Sequence, residues 1–186
     1  NVDDGGSFAL ESTDVISAPN AVVITSATTV TDPTQRLGFQ KTYSLAPNVV
    51  TIHFGVRFVD ADSTANVHFF SVAFDRPSGS SYTLELARRG AVSTLIEGVP
   101  IDGGSNYVNH DLGGAFAGSD FLDVVMSVDF KAHHLTIRVG GTTVYDKPPM
   151  SGSAGHISES IGIAYYIGHS ALPTTLQFDD FAVFHQ

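Results

Sequence analysis

Hydrophobic and polar residues alternate along most of this chain, and the alternation predicts a protein built of β-strands. In the clearest stretch, residues 50–58, every second residue is large and apolar. A period of two indicates a strand with one buried face, because successive side chains point to opposite faces. No stretch keeps the i, i+3, i+4, i+7 apolar spacing over three turns, so little or no helix is predicted. The apolar members of the clearest stretch are Val50, Ile52, Phe54, Val56 and Phe58.

The number and spacing of such stretches predict the fold class. About twelve to fourteen strands separated by Gly-, Pro- and Asn-rich turns are typical of two stacked antiparallel sheets. Residues 67–74 are apolar at both phases, which favours a central strand buried on both faces. Residues 99–118 are rich in Gly and Asn and are expected to form a long loop with at most one short strand. No linker or internal repeat interrupts the pattern, so residues 1–186 are predicted to form one domain.

The last two predicted strands contain a change of phase. Residues 160–168 alternate Ile and Tyr with Gly and Ala, and a second strand follows at 176–184, which predicts a closing hairpin. The apolar residues of the second strand change phase across Asp179–Asp180. Either a β-bulge there puts them all on one face, or the strand is buried on both sides. The apolar residues concerned are Leu176, Phe178, Phe181 and Val183.

The charge of the chain excludes several classes of function. Nine Lys and Arg residues stand against nineteen Asp and Glu residues, a formal charge of -10. A chain this acidic offers no basic surface to nucleic-acid phosphates or to an anionic membrane, so neither is an expected partner. No apolar run approaches the roughly 20 residues of a spanning helix, and the absence of cysteine excludes disulfides and thiolate chemistry. The low charge and the many strands lead us to expect a secreted or cell-surface protein.

Several stretches resemble a known group of β-sandwich proteins. Residues 127–148, SVDFKAHHLTIRVGGTTVYDKP, resemble the paired strands of the concanavalin A-like lectin/glucanase jelly rolls, including laminin-G-like domains. FDDFAVF at 178–184 resembles their last strand, and GGSFALES and PNAVVITSA resemble the opening strands of secreted bacterial members. The resemblance implies a jelly-roll sandwich of two curved sheets that commonly binds or cleaves carbohydrate. It also implies that one structural calcium ion is often present.

Hydrolysis of β-glucans in this group implies a Glu-x-Asp-x-x-Glu run, which places two carboxylates on one face of a strand. The chain has no such run, and its closest two glutamates lie twelve positions apart. No strand can therefore present two of them, and retaining glycosidase chemistry is not expected. The glutamates are Glu11, Glu85, Glu97 and Glu159.

Polysaccharide lyase chemistry stays open as an alternative. It needs a base such as His or Tyr, and an Arg, Asn or Gln that neutralises the uronate carboxylate, because proton abstraction builds negative charge. His53 and Arg57 lie on one face of one predicted strand, roughly 13 Å apart, and are candidate ligand-binding residues. The same pair would equally suit a solvated sheet face. His68 falls on the strand predicted to be buried on both faces, and it is interpreted as a hydrogen-bonded core or edge residue.

Sugar binding needs an aromatic ring for the apolar face of a pyranose and polar groups for its hydroxyls. Tyr166 is the best aromatic candidate, because the other residues on its predicted strand face are Gly or Ala and leave room beside the ring. The same small residues would also let another segment approach closely. Tyr82, Tyr107 and Tyr145 lie at predicted loop edges and are not ranked.

Asp179 and Asp180 are candidate metal ligands. Calcium takes six to eight oxygen ligands, among them carboxylates and backbone carbonyls. Jelly rolls bring their termini together, so Asn1, Asp3 and Asp4 are candidate further ligands. The alternative is that one aspartate faces water while the other caps a bulge.

The function expected first is therefore a secreted or cell-surface carbohydrate-binding, lectin-like module without catalysis. A polysaccharide lyase or glycoside hydrolase of jelly-roll fold is the second interpretation, and a structural or adhesive surface domain is the third. The expected partner is a carbohydrate or another cell-surface ligand, and the oligomeric state stays open.

Overall fold

The computed structural model describes residues 7–11, 21–26, 37–43, 48–59, 66–75, 81–101, 104–148, 160–168 and 174–186. Within these residues the chain forms thirteen β-strands and no helix, so this part contains no helix that could cross a membrane. The strands are β1 (Ser7–Glu11), β2 (Ala21–Ser26), β3 (Leu37–Tyr43), β4 (Val49–Phe58), β5 (Asn66–Asp75), β6 (Ser81–Arg89), β7 (Val92–Ile101), β8 (Gly104–Asp111), β9 (Leu122–Asp129), β10 (His134–Val139), β11 (Thr142–Lys147), β12 (Ser160–Gly168) and β13 (Thr174–His185).

The strands form two antiparallel sheets that share one core. One sheet has seven strands in the order β1-β2-β13-β4-β9-β10-β11, and the other has six in the order β3-β12-β5-β6-β7-β8. Buried apolar side chains of both sheets belong to a single cluster, because each sheet turns its apolar face towards the other. The prediction of an all-β jelly-roll sandwich is confirmed.

β4 lies at the centre of the seven-stranded sheet, between β13 and β9. The five apolar residues that alternate along it from Val50 to Phe58 are buried, as the alternation predicts, and none is more than 2% exposed. The ring of Phe54 stacks on Phe70 of the opposite sheet, with 4.6 Å between the ring centroids. His53 and Arg57 therefore occupy the outer face of the seven-stranded sheet, because they alternate with these core residues.

β13 contains a β-bulge at the change of phase, which was one of the two alternatives left open by the sequence. Asp180 and Phe181 together lie opposite the single residue Phe54 of β4. Asp180 has a φ of 53°, in the left-handed region that Asp tolerates better than most residues do. The bulge returns Val183 to the phase that packs against the core, whereas Phe181 stays 41% exposed.

The last two strands do not form the predicted hairpin. β12 pairs with β3 and β5 in the six-stranded sheet, whereas β13 pairs with β2 and β4 in the seven-stranded sheet. The chain therefore crosses from one sheet to the other, as Greek-key connections commonly do. The sequence between the two strands, HSALP, also lacks the two-residue turn signals of a tight hairpin.

β5 lies inside the six-stranded sheet, between β12 and β6, so the prediction of a central strand is confirmed, but it contains a bulge and is not buried on both faces. Its register against β6 shifts between His68 and Phe70. Phe69 and Phe70 are both fully buried, while His68 and Ser71 are half-buried on the opposite side. The extra residue moves the apolar positions from one phase of the alternation to the other. A strand that is buried on one face therefore looks, in sequence, like a strand that is buried on both faces.

The long loop expected at 99–118 is shorter than predicted. β7 continues to Ile101, and β8 follows as the edge strand of the six-stranded sheet. An edge strand is paired on one side only and is often polar, so its apolar alternation is weak. The loop after β8 folds back onto the core, where the amide of Phe116 donates to Ser93 Oγ at 2.9 Å.

One carboxylate lies inside the sandwich and is fully hydrogen-bonded. Glu97 on β7 is 0% exposed, and it accepts a hydrogen bond from the Tyr82 hydroxyl at 2.6 Å. His110 Nε2 lies 3.0 Å from its other oxygen. Burial, and then the bond to Glu97, raises the pKa of Tyr82, which keeps its hydroxyl protonated as a donor. Tyr145 of β11 contacts the His110 ring at 5.1 Å, so the network reaches the edges of both sheets.

Candidate functional site

The residues proposed from the sequence as ligand-binding lie on two different sheets. His53 and Arg57 are on β4 of the seven-stranded sheet, whereas Tyr166 is on β12 of the six-stranded sheet, where its backbone pairs with Gly38. The side chain of Tyr166 lies outside the described part of the structure. The structure therefore does not bring the three residues onto one face.

Both ring nitrogens of His53 face carboxylates. Nε2 is hydrogen-bonded to Asp123 of β9, and Nδ1 lies 3.8 Å from Asp180 Oδ2 at the bulge of β13. The ring therefore ties three neighbouring strands together, and each of its nitrogens has a carboxylate beside it.

Arg57 supports the loop that precedes β9. Its Nε donates to the carbonyl of Ser119 at 2.9 Å, and its guanidinium lies 5.8 Å from the centre of the Phe121 ring. On the other sheet, Arg88 Nη1 donates to the adjacent carbonyl of Gly118 at 3.3 Å. One arginine from each sheet therefore holds this loop. Some of the hydrogen-bond donors of Arg57 are used in this way.

The two aspartates predicted as metal ligands both take part in the β-bulge of β13. Asp179 is 7% exposed, and its Oδ1 accepts the amide of Asp180 at 2.7 Å. Beside them, Gln177 Oε1 is buried without a hydrogen-bond partner, and a carbonyl oxygen is a ligand that calcium accepts. Among the described residues no group of three His, Cys, Asp or Glu side chains could hold a metal ion. The terminal candidates Asn1, Asp3 and Asp4 lie outside the described residues.

Calcium binding at Asp179 and Asp180 remains a prediction, and thermal unfolding tests it. A ligand present at about 100 times its Kd stabilises a protein by about 2.7 kcal/mol, which corresponds to roughly 5–10 °C in Tm for a chain of this length. We expect calcium to raise the Tm of EDTA-treated protein, and Asp179→Asn to remove the rise. Equal unfolding curves with and without calcium would refute the site, and magnesium serves as the control ion.

The outer face of the six-stranded sheet carries small residues interspersed with larger polar ones. Most of the side chains on β5 to β8 that alternate with the core are partly or fully exposed, and small residues are frequent on β5, β6 and β7. Antiparallel sheets commonly leave one such face open to solvent. The described members of this face on β5 to β8 are Asn66, His68, Ser71, Ala73, Ser81, Thr83, Glu85, Ala87, Arg89, Thr94, Ile96, Gly98, Tyr107, Asn109 and Asp111.

A histidine–carboxylate pair lies on this outer face. His68 Nδ1 is hydrogen-bonded to Glu85, and the two side chains are 14% and 19% exposed. Asn66 Nδ2 lies 3.4 Å from His68 Nε2, and exposed Arg89 is directly opposite Asn66 in the register. A carboxylate on one imidazole nitrogen fixes which tautomer is present and how the ring is oriented. Together, His68, Asn66 and Arg89 supply a base, an amide and a cation.

The bulge in β5 is what places His68 here. Without the extra residue, His68 and Ser71 would lie on opposite faces of the strand, because their sequence separation is odd. With it, Ser71 pairs with Glu85 and His68 pairs with the next outward position, Ala87. The signal in the sequence is the adjacent pair Phe69–Phe70 between two polar residues. As in β13, the phase of the alternation changes across two adjacent residues.

The structure resembles solved carbohydrate-active proteins, although no family model and no curated protein matches the sequence. An endo-beta-1,4-glucuronan lyase from the fungus Trichoderma reesei superposes with a TM-score of 0.75 at 12% identity, over 99% of this chain and 89% of that chain. The cellulose-induced protein Cip1 gives 0.63 at 16% identity, over 99% and 88%. The family 7 alginate lyase A1-II′ gives 0.64 at 10% identity, over 95% and 83%.

The chain has the two-sheet jelly-roll fold of these proteins. The likeness lies in the backbone, since the identities are this low, and the resemblance to the concanavalin A-like jelly rolls seen in the sequence is confirmed at the level of the fold. The sequence contains none of the runs Arg-x-Glu, Gln-x-His or Tyr-Phe-Lys-Ala-Gly that are associated with lyases of this fold. Any chemistry must therefore depend on other side chains of this chain.

Proposed function

We propose that this protein binds a uronate-containing polysaccharide across the outer face of its six-stranded sheet and cleaves it by β-elimination. The observation that carries the proposal is the His68–Glu85 pair on the outer face of the six-stranded sheet, with Asn66 beside it. Two of the similar structures are lyases of glucuronan and alginate, which supports the lyase alternative over the non-catalytic module expected first.

In the proposed reaction His68 accepts the proton from C5 of the uronate. The electron pair of the C5–H bond forms a C4=C5 double bond, and the bond between C4 and the glycosidic oxygen breaks. The leaving oxygen takes up a proton from solvent water, and His68 later releases its proton to solvent, so the products are a new chain end and an unsaturated uronate, with no net oxidation. Glu85 stabilises the imidazolium that forms, and Arg89 and Asn66 are placed to neutralise the charge that develops on the uronate carboxylate.

Hydrolysis by two carboxylates suits this face less well. Apart from Glu85, the described carboxylate on the outer face is Asp111 of β8. The register separates the two by two strands and two residues, or roughly 12 Å between backbones. Inverting glycosidases place their carboxyl groups about 6.5–9.5 Å apart and retaining ones closer, so this pair favours neither mechanism.

The net charge of -10 predicts an unusual salt dependence for cleavage of a polyanion. Long-range repulsion raises KM at low ionic strength, and added salt screens it because the Debye length falls to about 8 Å at 0.15 M. We expect KM for glucuronan or alginate to fall about threefold from 10 mM to 150 mM salt, with kcat nearly unchanged. The measurement is the release of unsaturated ends, with binding of neutral cellulose oligosaccharides as the salt-insensitive control. A KM that rises steadily with salt would contradict the proposed balance of charges.

A further inference from the structure

Tyr107 lies across the outer face of the six-stranded sheet, against a strand that has no side chain at that point. It pairs with Gly98 of β7, which pairs in turn with Thr83 of β6. A Cβ at Gly98 would lie 2.7 and 3.0 Å from Cε1 and Cδ1 of the Tyr107 ring, and would also collide with the Thr83 hydroxyl. Only glycine leaves space for the ring here, so the ring lies down on the sheet instead of standing away from it.

The other side of this ring faces solvent. Tyr107 is 61% exposed, the largest exposure among the exposed large hydrophobic residues of the described part. The inner side of the ring covers the backbone of the strand glycine Gly98, a role that aromatic residues have beside glycines in sheets. This role accounts for the inner side of the ring only. An aromatic ring with one supported side and one open side has the form that receives the apolar C–H face of a sugar ring.

The position of Tyr107 separates it from the proposed bond cleavage. The ring lies over Gly98, which is one strand away from Thr83, and Thr83 is two residues from Glu85 on β6, so the ring is roughly 8 Å from the backbone of Glu85 along the face. This span is longer than one pyranose ring. A sugar that contacts Tyr107 is therefore a different unit of the polymer from the one whose proton His68 accepts.

We propose that Tyr107, held flat by Gly98 and Thr83, is a stacking subsite for a remote sugar unit of the bound polysaccharide. The subsite recognises the apolar face of a pyranose and not its carboxylate, so it contributes to binding of long chains of either charge. This inference rests on the proposed function. A contact made equally in the ground state and the transition state changes KM and leaves kcat unaltered.

The test compares Tyr107→Ala, Tyr107→Phe and the wild type on glucuronan and on the shortest glucuronan fragment that is cleaved. We expect Tyr107→Ala to raise KM for the polymer about threefold to tenfold, the range of an aromatic contact, with kcat and the short fragment unchanged. Tyr107→Phe keeps the ring and should behave as the wild type. Phe184→Ala is the matched control, because Phe184 is 60% exposed on β13 of the other sheet.

The outcomes separate this subsite from the proposed lyase activity. If the polymer is cleaved and Tyr107→Ala retains the wild-type KM in a folded protein, the subsite is refuted and the lyase proposal stands. If nothing is cleaved but calorimetry detects polymer binding that Tyr107→Ala weakens, the subsite stands and the lyase proposal fails. Absence of both binding and cleavage in the wild type refutes both. Thermal unfolding of each variant confirms that the sheet is intact.

Discussion

His68→Ala is expected to lower kcat on a uronate polysaccharide by roughly 10²–10⁴, the contribution of a positioned general base. The imidazole is the proposed proton acceptor; Asn66, Ser71 and Arg89 cannot replace it, and a carboxylate such as that of Glu85 is ordinarily a weaker base than imidazole. Binding of the polymer should change little, because the outer face is otherwise intact. The measurement is steady-state release of unsaturated ends, with the Kd of the uncleaved polymer measured for the variant.

Glu85→Gln distinguishes a catalytic pair from a structural one. The amide keeps the size of the carboxylate and can still accept from His68 Nδ1, but it cannot stabilise an imidazolium. We expect a loss of about 10–100-fold in kcat, the usual cost of changing such a partner of a histidine, with the Tm nearly unchanged. If Glu85→Gln and His68→Ala both fold and both retain the wild-type kcat, the pair takes no part in the reaction.

Glu97→Ala is expected to destabilise the folded protein strongly. It leaves the Tyr82 hydroxyl and His110 without their acceptor inside the sandwich, and opens a cavity where Glu97 is fully buried. Breaking a buried pair costs about 3–5 kcal/mol. For a chain of this length that corresponds to a fall in Tm of roughly 6–20 °C, measurable by calorimetry.

An exposed ion pair provides the matched control for Glu97. His134 and Asp146 also join a histidine to a carboxylate on neighbouring strands, but their side chains are 49% and 57% exposed. Solvent-exposed pairs contribute about 0–1 kcal/mol, so Asp146→Ala should move Tm by a few degrees at most. Equal effects of Glu97→Ala and Asp146→Ala would show that burial of Glu97 does not determine its contribution.

The architecture is predictable where the alternation is strict. β4 carries its core residues at every second position over nine residues, and each of them is buried. With a strict period of two, only one face of the strand can be the one that packs against the core. The phase change at Asp179–Asp180 is visible in the sequence, but only the structure decides that it is a bulge and not a strand buried on both sides. The change of sheet between β12 and β13 is not predictable, because pairing partners are set by contacts between distant residues.

The candidate site is predictable only in part. Alternation places His53 on an outer face, but it does not reveal that Asp123 and Asp180 are directed at both ring nitrogens. For His68 the bulge conceals the outer face altogether, because the two phenylalanines that follow it make the strand look buried on both sides. Tyr107 cannot be ranked from the sequence, because its partner Gly98 borders a segment whose composition predicts a loop.

The most direct test of the proposed function is a comparison of His68→Ala with His53→Ala in one cleavage assay. Both variants remove an imidazole that is hydrogen-bonded to a carboxylate, one from the outer face of each sheet. With glucuronan and alginate as substrates, we predict unsaturated products from the wild type and from His53→Ala, and a loss of at least about 100-fold for His68→Ala. Full activity of folded His68→Ala, with activity lost in His53→Ala, would contradict the proposal and move the reaction to the seven-stranded sheet.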